Sequence, residues 1–336
     1  MAVAIALAAC APIARALTPA QLGVVINTAD PLSAALGEYY VQRRHIPAAN
    51  VSRVSFDARR DDMPTEEFRA LKARVDAQLP AGVQAYALTW TQPYRVGCMS
   101  ITSAFAFGFD PRHCASGCAP TRVSAYFDSA SAAPYADLQF RPAMSIAAGT
   151  VDQGRRLIDR GVRSDGSLPR GSAYLVRSGD RDRDVRRAGY ADAVMVAAGR
   201  VRAQLVDGPA LRSRDDVMFY FIGAAQVPDL ASNRFLPGAV GDHLTSAGGM
   251  LGDSPQMSSL RWLEAGATGS YGTVVEPCNI AAKFPDPAVL MAHYLSGETL
   301  LESYWKSVAM PGQGIFIGEP LAAPYRRAAA AAATRG

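Results

Sequence analysis

Short apolar segments alternate with amphipathic segments near the start of the chain, and this alternation constrains the fold more than any other sequence feature. The apolar segments have the length of strands, whereas the amphipathic segments have the spacing of helices. The predicted strands are 22–26, 51–56 and 83–89, and the predicted helices between them are 32–44 and 64–79. Successive strand–helix–strand units require parallel strands joined by right-handed crossovers. We therefore predict an α/β unit over residues 17–90.

The alternation stops after this unit and resumes near residue 169. Residues 91–168 contain three cysteines and no sustained periodicity, which predicts a long, irregular, Cys-containing insertion. In residues 169–324, the predicted strands are 172–177, 216–223 and 267–275, and the predicted helices are 185–205, 256–265 and 287–308, the last interrupted by Gly297. An Ala-rich tail follows at 325–336. The predicted fold is α/β, with a parallel, doubly wound sheet of caspase/gingipain-like or flavodoxin-like type.

Composition predicts a globular chain that binds neither nucleic acid nor a cofactor. Of the 336 residues, 49% are hydrophobic, which suffices for a large core. The net charge is only +4, and the densest run of arginines, 159–187, is interleaved with aspartates. Such a run predicts a solvated, ion-paired surface. Phosphate-loop and dinucleotide patterns are missing, since Gly238-Ala-Val-Gly241 lacks both a following Lys-Ser/Thr and a third glycine.

The first sixteen residues predict export. Residues 1–16 are apolar and small, and they end in Ala14-Arg15-Ala16, the small-x-small pattern of a signal-peptide cleavage site before Leu17. Leu7-Ala-Ala-Cys10 also resembles a lipobox, which makes Cys10 a candidate for lipidation and a lipid anchor an alternative outcome. No later run approaches the roughly 20 apolar residues that span a bilayer. We expect a periplasmic or extracellular protein whose partner is a peptide or an envelope component.

Export would place the remaining cysteines in an oxidising compartment. Four cysteines are left once Cys10 is removed or lipidated, and an even number predicts two disulfides. The disulfide candidates are Cys98, Cys114, Cys118 and Cys278. Three pairings are open, including a Cys114–Cys118 loop with a long-range Cys98–Cys278 bridge. A zinc site near His113 is the alternative, but the Cys-x-x-x-Cys spacing departs from the usual zinc pattern, and no metal is predicted.

Two Gly-rich apolar runs in the second part of the chain lead into residues capable of chemistry. The candidate site residues at their ends are Asp242, His243, Thr245, Ser246, Glu276 and Cys278. An imidazole can supply the thiolate that cysteine catalysis needs, so His243 and Cys278 form a candidate dyad. Asp242 and Glu276 are candidates for an orienting acid and a general acid or base, and Thr245 and Ser246 for ligand binding. A disulfide at Cys278, and capping or loop hydrogen bonds at the two acids, are the alternatives.

Several segments carry a resemblance to a known family. They are Ala29-Asp-Pro-Leu-Ser33, Glu38-Tyr-Tyr40, Arg43-Arg-His-Ile-Pro-Ala-Ala-Asn-Val51, Leu236-Pro-Gly-Ala-Val-Gly-Asp-His-Leu-Thr-Ser-Ala-Gly-Gly249, the run from Gly266 to Pro277, and Gly314-Ile-Phe-Ile-Gly-Glu-Pro-Leu-Ala-Ala-Pro324. On these segments the chain resembles an uncharacterised family of exported bacterial proteins that occur with exosortase-type surface-sorting systems. The resemblance implies a role in the cell envelope or in exopolysaccharide-linked sorting.

More distantly, the order of elements is similar to the caspase/gingipain-like fold of cysteine peptidases. In that fold the catalytic His follows one strand as His-Gly, and the Cys follows the next strand. Here the predicted strand 216–223 runs into Gly223-Ala224 instead, although His243 and Cys278 keep the order of His before Cys. Three hypotheses stay open: an envelope protein with a cleft around the two Gly-rich runs, an active cysteine hydrolase, and a disulfide-stabilised binding or scaffold protein.

Overall fold

Twelve strands are present in the described part of the chain, and ten of them form one large sheet. The computed structural model describes residues 16–252 and 254–327. The strands are β1 (Leu22–Asn27), β2 (Val51–Val54), β3 (Ala85–Leu88), β4 (Arg95–Val96), β5 (Met99–Ser100), β6 (Ala143–Ser145), β7 (Ser172–Arg177), β8 (Arg202–Asp207), β9 (Val217–Gly223), β10 (Phe235–Leu244), β11 (Gly269–Thr273) and β12 (Gly314–Gly318). Strands β4 and β5 form a separate two-stranded sheet.

Helices connect the strands, and capping residues in the sequence set several of their ends. The helices of the described residues are α1 (Pro31–Arg44), α2 (Thr65–Gln78), α3 (Ile101–Phe107), α4 (Pro134–Leu138), α5 (Val151–Ser164), α6 (Tyr190–Ala197), α7 (Leu260–Ala265), α8 (Pro287–Ser296) and α9 (Leu300–Ser307). Asp30 caps α1 by accepting a hydrogen bond from the Leu32 amide, ahead of a favourable Pro31. Gly297 ends α8 with φ 103°, so the predicted interruption of the 287–308 pattern is confirmed.

The large sheet consists of two halves that run in opposite directions. Its strand order is β2-β1-β3-β6-β12-β11-β10-β9-β7-β8. The central pair β11–β12 is antiparallel, and every other neighbouring pair is parallel. The first half is β2-β1-β3-β6-β12 and the second half is β11-β10-β9-β7-β8; numbered by chain order and counted from its outer edge, each half has the order 2-1-3-4-5. The predicted α/β fold with a mostly parallel sheet is confirmed. Because the halves run in opposite directions, the strands of the first half end where the strands of the second half begin.

The sequence order of the halves differs from the two successive units predicted above. Strand β12 follows the whole second half in the chain, yet it pairs with β6 and completes the first half. Residues 91–168 are also more regular than predicted, because they contribute α3, central strand β6 and the 14-residue helix α5. Strand β6 has only three residues, which is too short to show a period in the sequence.

The predicted helix 185–205 is wrong over its last part. Helix α6 ends at Ala197, the chain turns at Gly199 with φ 76°, and β8 then pairs with β7 at the sheet edge. The segment mixes Ala, which favours helices, with Val, which favours strands, so composition did not separate the two structures.

One hydrophobic core runs through both halves of the sheet. It includes the fully buried Val24 and Ile26 of β1, Phe219 and Phe221 of β9, and Phe316 of the shared strand β12. Within the described residues, no helix combines the length and apolar character needed to cross a membrane.

Candidate functional site

The predicted site residue Asp242 lies in the core. Its carboxylate forms a buried ion pair with Arg186, with 2.5 Å between Oδ1 and Nη1. Burial raises the pKa of Asp242, and the Arg186 guanidinium opposes that rise. Arg186 also donates to the carbonyl of Ile222 at 3.0 Å, so the pair ties β10 to β9. Asp242 is therefore part of the internal structure of the second half.

His243, on the next position of β10, is also fully enclosed. Trp262 Nε1, which can only donate, is 2.9 Å from His243 Nδ1, so the ring proton sits on Nε2. Nε2 donates to the carbonyl of Met257 at 2.9 Å. Burial lowers the pKa of His243 to about 4, with the bond to Met257 opposing. Both ring nitrogens are occupied, and the ring is held neutral between β10 and the segment that leads into α7.

Cys278 is not a free thiol, because it forms a disulfide with Cys118. The second disulfide joins Cys98 to Cys114, so the prediction of two disulfides is confirmed, with a pairing other than the Cys114–Cys118 loop named above. Glu276 is exposed and accepts a hydrogen bond from the Cys278 amide at 2.7 Å, which is the loop hydrogen bond named above as the alternative. The structure does not bring His243 and Cys278 together as a catalytic dyad.

Thr245 and Ser246 hold the loop after β10 in place. Thr245 Oγ1 donates to Gln256 Oε1 at 2.6 Å, and Thr273 Oγ1 donates to the carbonyls of Thr245 and Ser246, each at 3.1 Å. A Cβ on Gly272 would lie 2.3 Å from the Gly248 carbonyl carbon. The glycines of the two Gly-rich runs therefore allow two backbones to touch, and this packing explains the runs without a ligand.

The zinc alternative finds no support among the described residues. They contain no cluster of three or more His, Cys, Asp or Glu side chains able to hold a metal ion. Cys114 and Cys118 belong to different disulfides, and His113 stacks on Phe107 with 4.5 Å between ring centroids. Burial lowers the pKa of His113 to about 4. The predicted signal peptide through residue 15, with the lipidation candidate Cys10, lies outside the described residues, as does the tail from residue 328.

A crevice opens at the carboxyl ends of the strands of the first half. It has a volume of about 840 Å³. The chain leaves β1 toward β2 on one side and returns to β3 on the other, so connections diverge at this point, where open α/β sheets bind ligands. This switch-point crevice is lined by residues from the loops after β1, β2, β3 and β6 and by two leucines of the second half: Ala29, Asp30, Pro31, Leu32, Ser55, Phe56, Asp57, Ala58, Arg59, Thr91, Gln92, Ala148, Gly149, Leu251 and Leu260.

Buried polar contacts hold the four loops of the crevice in fixed positions. The side chain of Asn27 donates through Nδ2 to the Phe56 carbonyl at 3.0 Å, and its Oδ1 accepts from the Phe56 backbone amide at 3.2 Å. These bonds join the loops after β1 and β2. Thr91 Oγ1 donates to the Ala148 carbonyl at 2.8 Å and accepts from the Ala148 amide at 3.0 Å, which joins the loops after β3 and β6. These contacts preorganise the crevice walls.

The charged groups of the crevice are two carboxylates and one guanidinium. Asp57 Oδ1 accepts from Arg59 Nε at 2.9 Å, and these hydrogen bonds hold the pKa of Asp57 well below its usual range. The Arg59 side chain is 89% exposed, so its remaining N–H groups are open to a ligand. Gln92 donates to Asp61 Oδ1 at 2.6 Å and keeps its carbonyl oxygen for other donors. Asp30 already accepts from the free amide at the start of α1.

Sequence reasoning did not single out Asp57, Arg59 or Gln92. All three follow predicted strands of the first unit, so the rule that functional groups gather at the carboxyl ends of parallel strands would have pointed to them. Asp30, which also lines the crevice, caps α1.

A second cavity, of about 620 Å³, lies beside α7. Its charged residues Arg261 and Glu264 pair with each other at 2.5 Å. This cavity is lined by α7 and by the connections after β9 and β10, and it does not lie at a reversal of strand order, so we regard the switch-point crevice as the stronger site.

Comparison with protein-family models, curated proteins and solved structures gives no match to this chain.

Proposed function

We propose that this protein is an exported cell-envelope protein that binds a polar, hydroxyl-rich ligand, such as a saccharide, in the switch-point crevice. The observation that carries the proposal is the position of the crevice at the reversal of strand order between β1 and β3. The 2-1-3-4-5 order of each half is the flavodoxin-like order, in which ligands bind at this point. A volume of about 840 Å³ lies within the usual range for small-molecule sites.

The groups in the crevice favour a ligand that both donates and accepts hydrogen bonds. Asp57 can only accept, Arg59 can only donate, and Gln92 offers a free carbonyl oxygen. Two carboxylates against one guanidinium disfavour an anion, and Asp30 occupies the helix N-terminus that would otherwise attract a phosphate. Hydroxyl groups match this mixture without adding charge.

Export is supported by the disulfides and by the sequence. Two disulfides favour an oxidising compartment, and Ala14-Arg15-Ala16 has the form of a cleavage site. The resemblance to exported bacterial proteins found with exosortase systems adds an envelope role. The similarity to the caspase/gingipain-like fold stays a prediction. The cysteine-hydrolase alternative needs a Cys278 thiolate, which the bond to Cys118 removes, so we do not propose it.

The test is a calorimetric titration of the purified protein with neutral mono- and oligosaccharides. Ala58→Trp fills the crevice and should abolish binding. Asp57→Asn removes one charged acceptor and should weaken binding by about 2- to 10-fold, the value of one hydrogen bond. The matched control is Asp207→Asn, which breaks a comparable exposed pair with Arg177 at the carboxyl ends of β7 and β8 in the second half. This variant should leave affinity unchanged.

Two results would overturn the proposal. Undiminished saccharide binding by Ala58→Trp would place the ligand elsewhere. Binding of inorganic phosphate in preference to every neutral sugar would exclude the proposed ligand class.

A further inference from the structure

Glu302, in the first turn of α9, is a fully buried carboxylate. Its Oε2 atom accepts hydrogen bonds from the Thr299 amide at 2.9 Å and the Thr299 hydroxyl at 2.6 Å, but its Oε1 atom has no partner among the described residues. Lys306, on the same helix, pairs instead with Glu298 at 2.9 Å. Burial raises the pKa of Glu302, although the Thr299 hydrogen bonds oppose this. A buried carboxylate without a cationic partner is destabilising, so this site favours a nearby positive charge.

A second backbone donor to this carboxylate is the amide of Leu17. Leu17 N lies 3.0 Å from Glu302 Oε2, although 285 positions separate the two residues. The Leu17 side chain is fully buried in the core, and Arg326 Nη2 donates to the Leu17 carbonyl at 2.9 Å. The backbone nitrogen of Leu17 is therefore held at the carboxylate by contacts on both sides.

The same nitrogen is the one that cleavage after Ala14-Arg15-Ala16 would release. We propose that proteolytic processing between Ala16 and Leu17 converts this amide into an α-ammonium group that forms a buried ion pair with Glu302. An endopeptidase that recognises small-x-small sequences would break the peptide C–N bond with one water molecule. The oxygen of this water goes to the Ala16 carbonyl carbon, which becomes a carboxylate, and both of its protons go to the Leu17 nitrogen, which becomes –NH₃⁺.

Processing then changes the chemistry of the site without moving any residue. An amide gives Glu302 a single neutral donor, whereas an ammonium group brings a positive charge and two further N–H groups, one of which can serve the unpartnered Oε1. Since Leu17 is enclosed in the folded protein, we expect the cut to precede the packing of this segment.

The inference shares the export step of the proposed function, but it does not depend on the crevice or its ligand. The test compares two purified proteins, one starting at Leu17 and one starting at Ala16, which moves the free amine one residue away from Glu302. We expect the Leu17 protein to unfold at a temperature at least about 2 °C higher. Glu302→Gln should abolish that difference, while Glu298→Gln, on the neighbouring pair with Lys306, should preserve it.

A second readout covers the case in which Glu302→Gln does not fold. An amine-reactive acylating reagent at neutral pH should label the α-amine of the Ala16 protein quickly and that of the Leu17 protein only after unfolding. Equal unfolding temperatures for the two starts, or rapid labelling of native Leu17, would overturn the ion pair. Recovery of the protein from its host with a different first residue would overturn the processing site, whatever the outcome of the saccharide titrations.

Discussion

At the scale of single residues, burial separates structural polar groups from those available to a ligand. Asp242 and His243 are at the carboxyl end of a parallel strand, where functional groups often lie, but both side chains point into the protein and are paired there. Asp57 and Arg59 follow strand β2 of the first half, and there Asp57 is partly exposed and Arg59 largely exposed. Residue type alone does not distinguish these cases.

The two buried imidazoles should make the fold sensitive to acid. Burial lowers the pKa of His243 and of His113 from 6.5 to about 4. Between pH 6.5 and 4 these imidazoles are protonated in the unfolded chain but neutral in the native protein. The free energy of unfolding therefore falls as the pH falls from about 6.5 to 4. The slope from each imidazole reaches about 1.4 kcal/mol per pH unit.

We expect His243→Gln to lower stability at pH 7 by about 1–3 kcal/mol, because the Trp262 and Met257 hydrogen bonds are weakened, and to flatten this acid slope. Urea unfolding at pH 7, 5.5 and 4.5 measures both effects. His45→Asn is the control, since His45 is exposed in a left-handed conformation that Asn tolerates. A variant with an unchanged slope would show that His243 does not titrate on unfolding.

At the scale of elements, the disulfides hold the irregular segment after α3 to the rest of the molecule. Cys98–Cys114 closes a local loop with a sequence separation of 16, whereas Cys118–Cys278 joins this segment to the loop after β11 across a separation of 160. A longer closed loop removes more entropy from the unfolded chain.

We therefore expect the double replacement Cys118→Ser/Cys278→Ser to cost about 5 kcal/mol and Cys98→Ser/Cys114→Ser about 3 kcal/mol. Denaturant unfolding of the two variants beside the unmodified protein gives the comparison. Thiol titration of the unreduced protein should find none of these four cysteines free. A rapidly alkylated Cys278 would restore the cysteine-nucleophile hypothesis, and a greater loss from the shorter loop would contradict the entropic argument.

At the scale of the whole molecule, β12 joins the two halves of the sheet. It pairs with β6 of the first half and with β11 of the second, and Trp305 stacks on Phe316 of this strand with 4.3 Å between ring centroids. A Cβ on Gly314 would lie 1.7 Å from the Tyr271 hydroxyl, so β12 fits against β11 only without a side chain there. The shared strand and the common core should couple the stability of the halves.

We expect one cooperative unfolding transition. Trp90 lies in the first half and Trp262 in the second, and both are buried. Variants that keep only one of these tryptophans, with the others changed to Phe, report each half by fluorescence. Each variant should show the same urea midpoint by fluorescence as by circular dichroism. Midpoints that differ between the probes would indicate that the halves unfold separately.

Local patterns predicted much of the fold. The segments 22–26, 51–56, 83–89, 172–177, 216–223 and 267–275 all contain strands, and Gly297 interrupts a helical pattern as expected. Four cysteines predicted two disulfides, although their pairing stayed open. The predictions of strands and of the helix break rest on the spacing of apolar residues or on the backbone conformation of one residue, and such information is carried by neighbours in the chain.

The tertiary structure alone decided how distant segments meet. Nothing local indicates that β12 returns to the first half, that Cys118 bonds to Cys278, or that Leu17 lies against Glu302. The candidate site changed for the same reason: whether His243 or Asp57 faces solvent depends on which helices and loops cover each end of the sheet. The sequence by itself determined most of the helices and strands, because apolar periodicity and helix caps are local, whereas strand pairing and burial are properties of the assembled sheet.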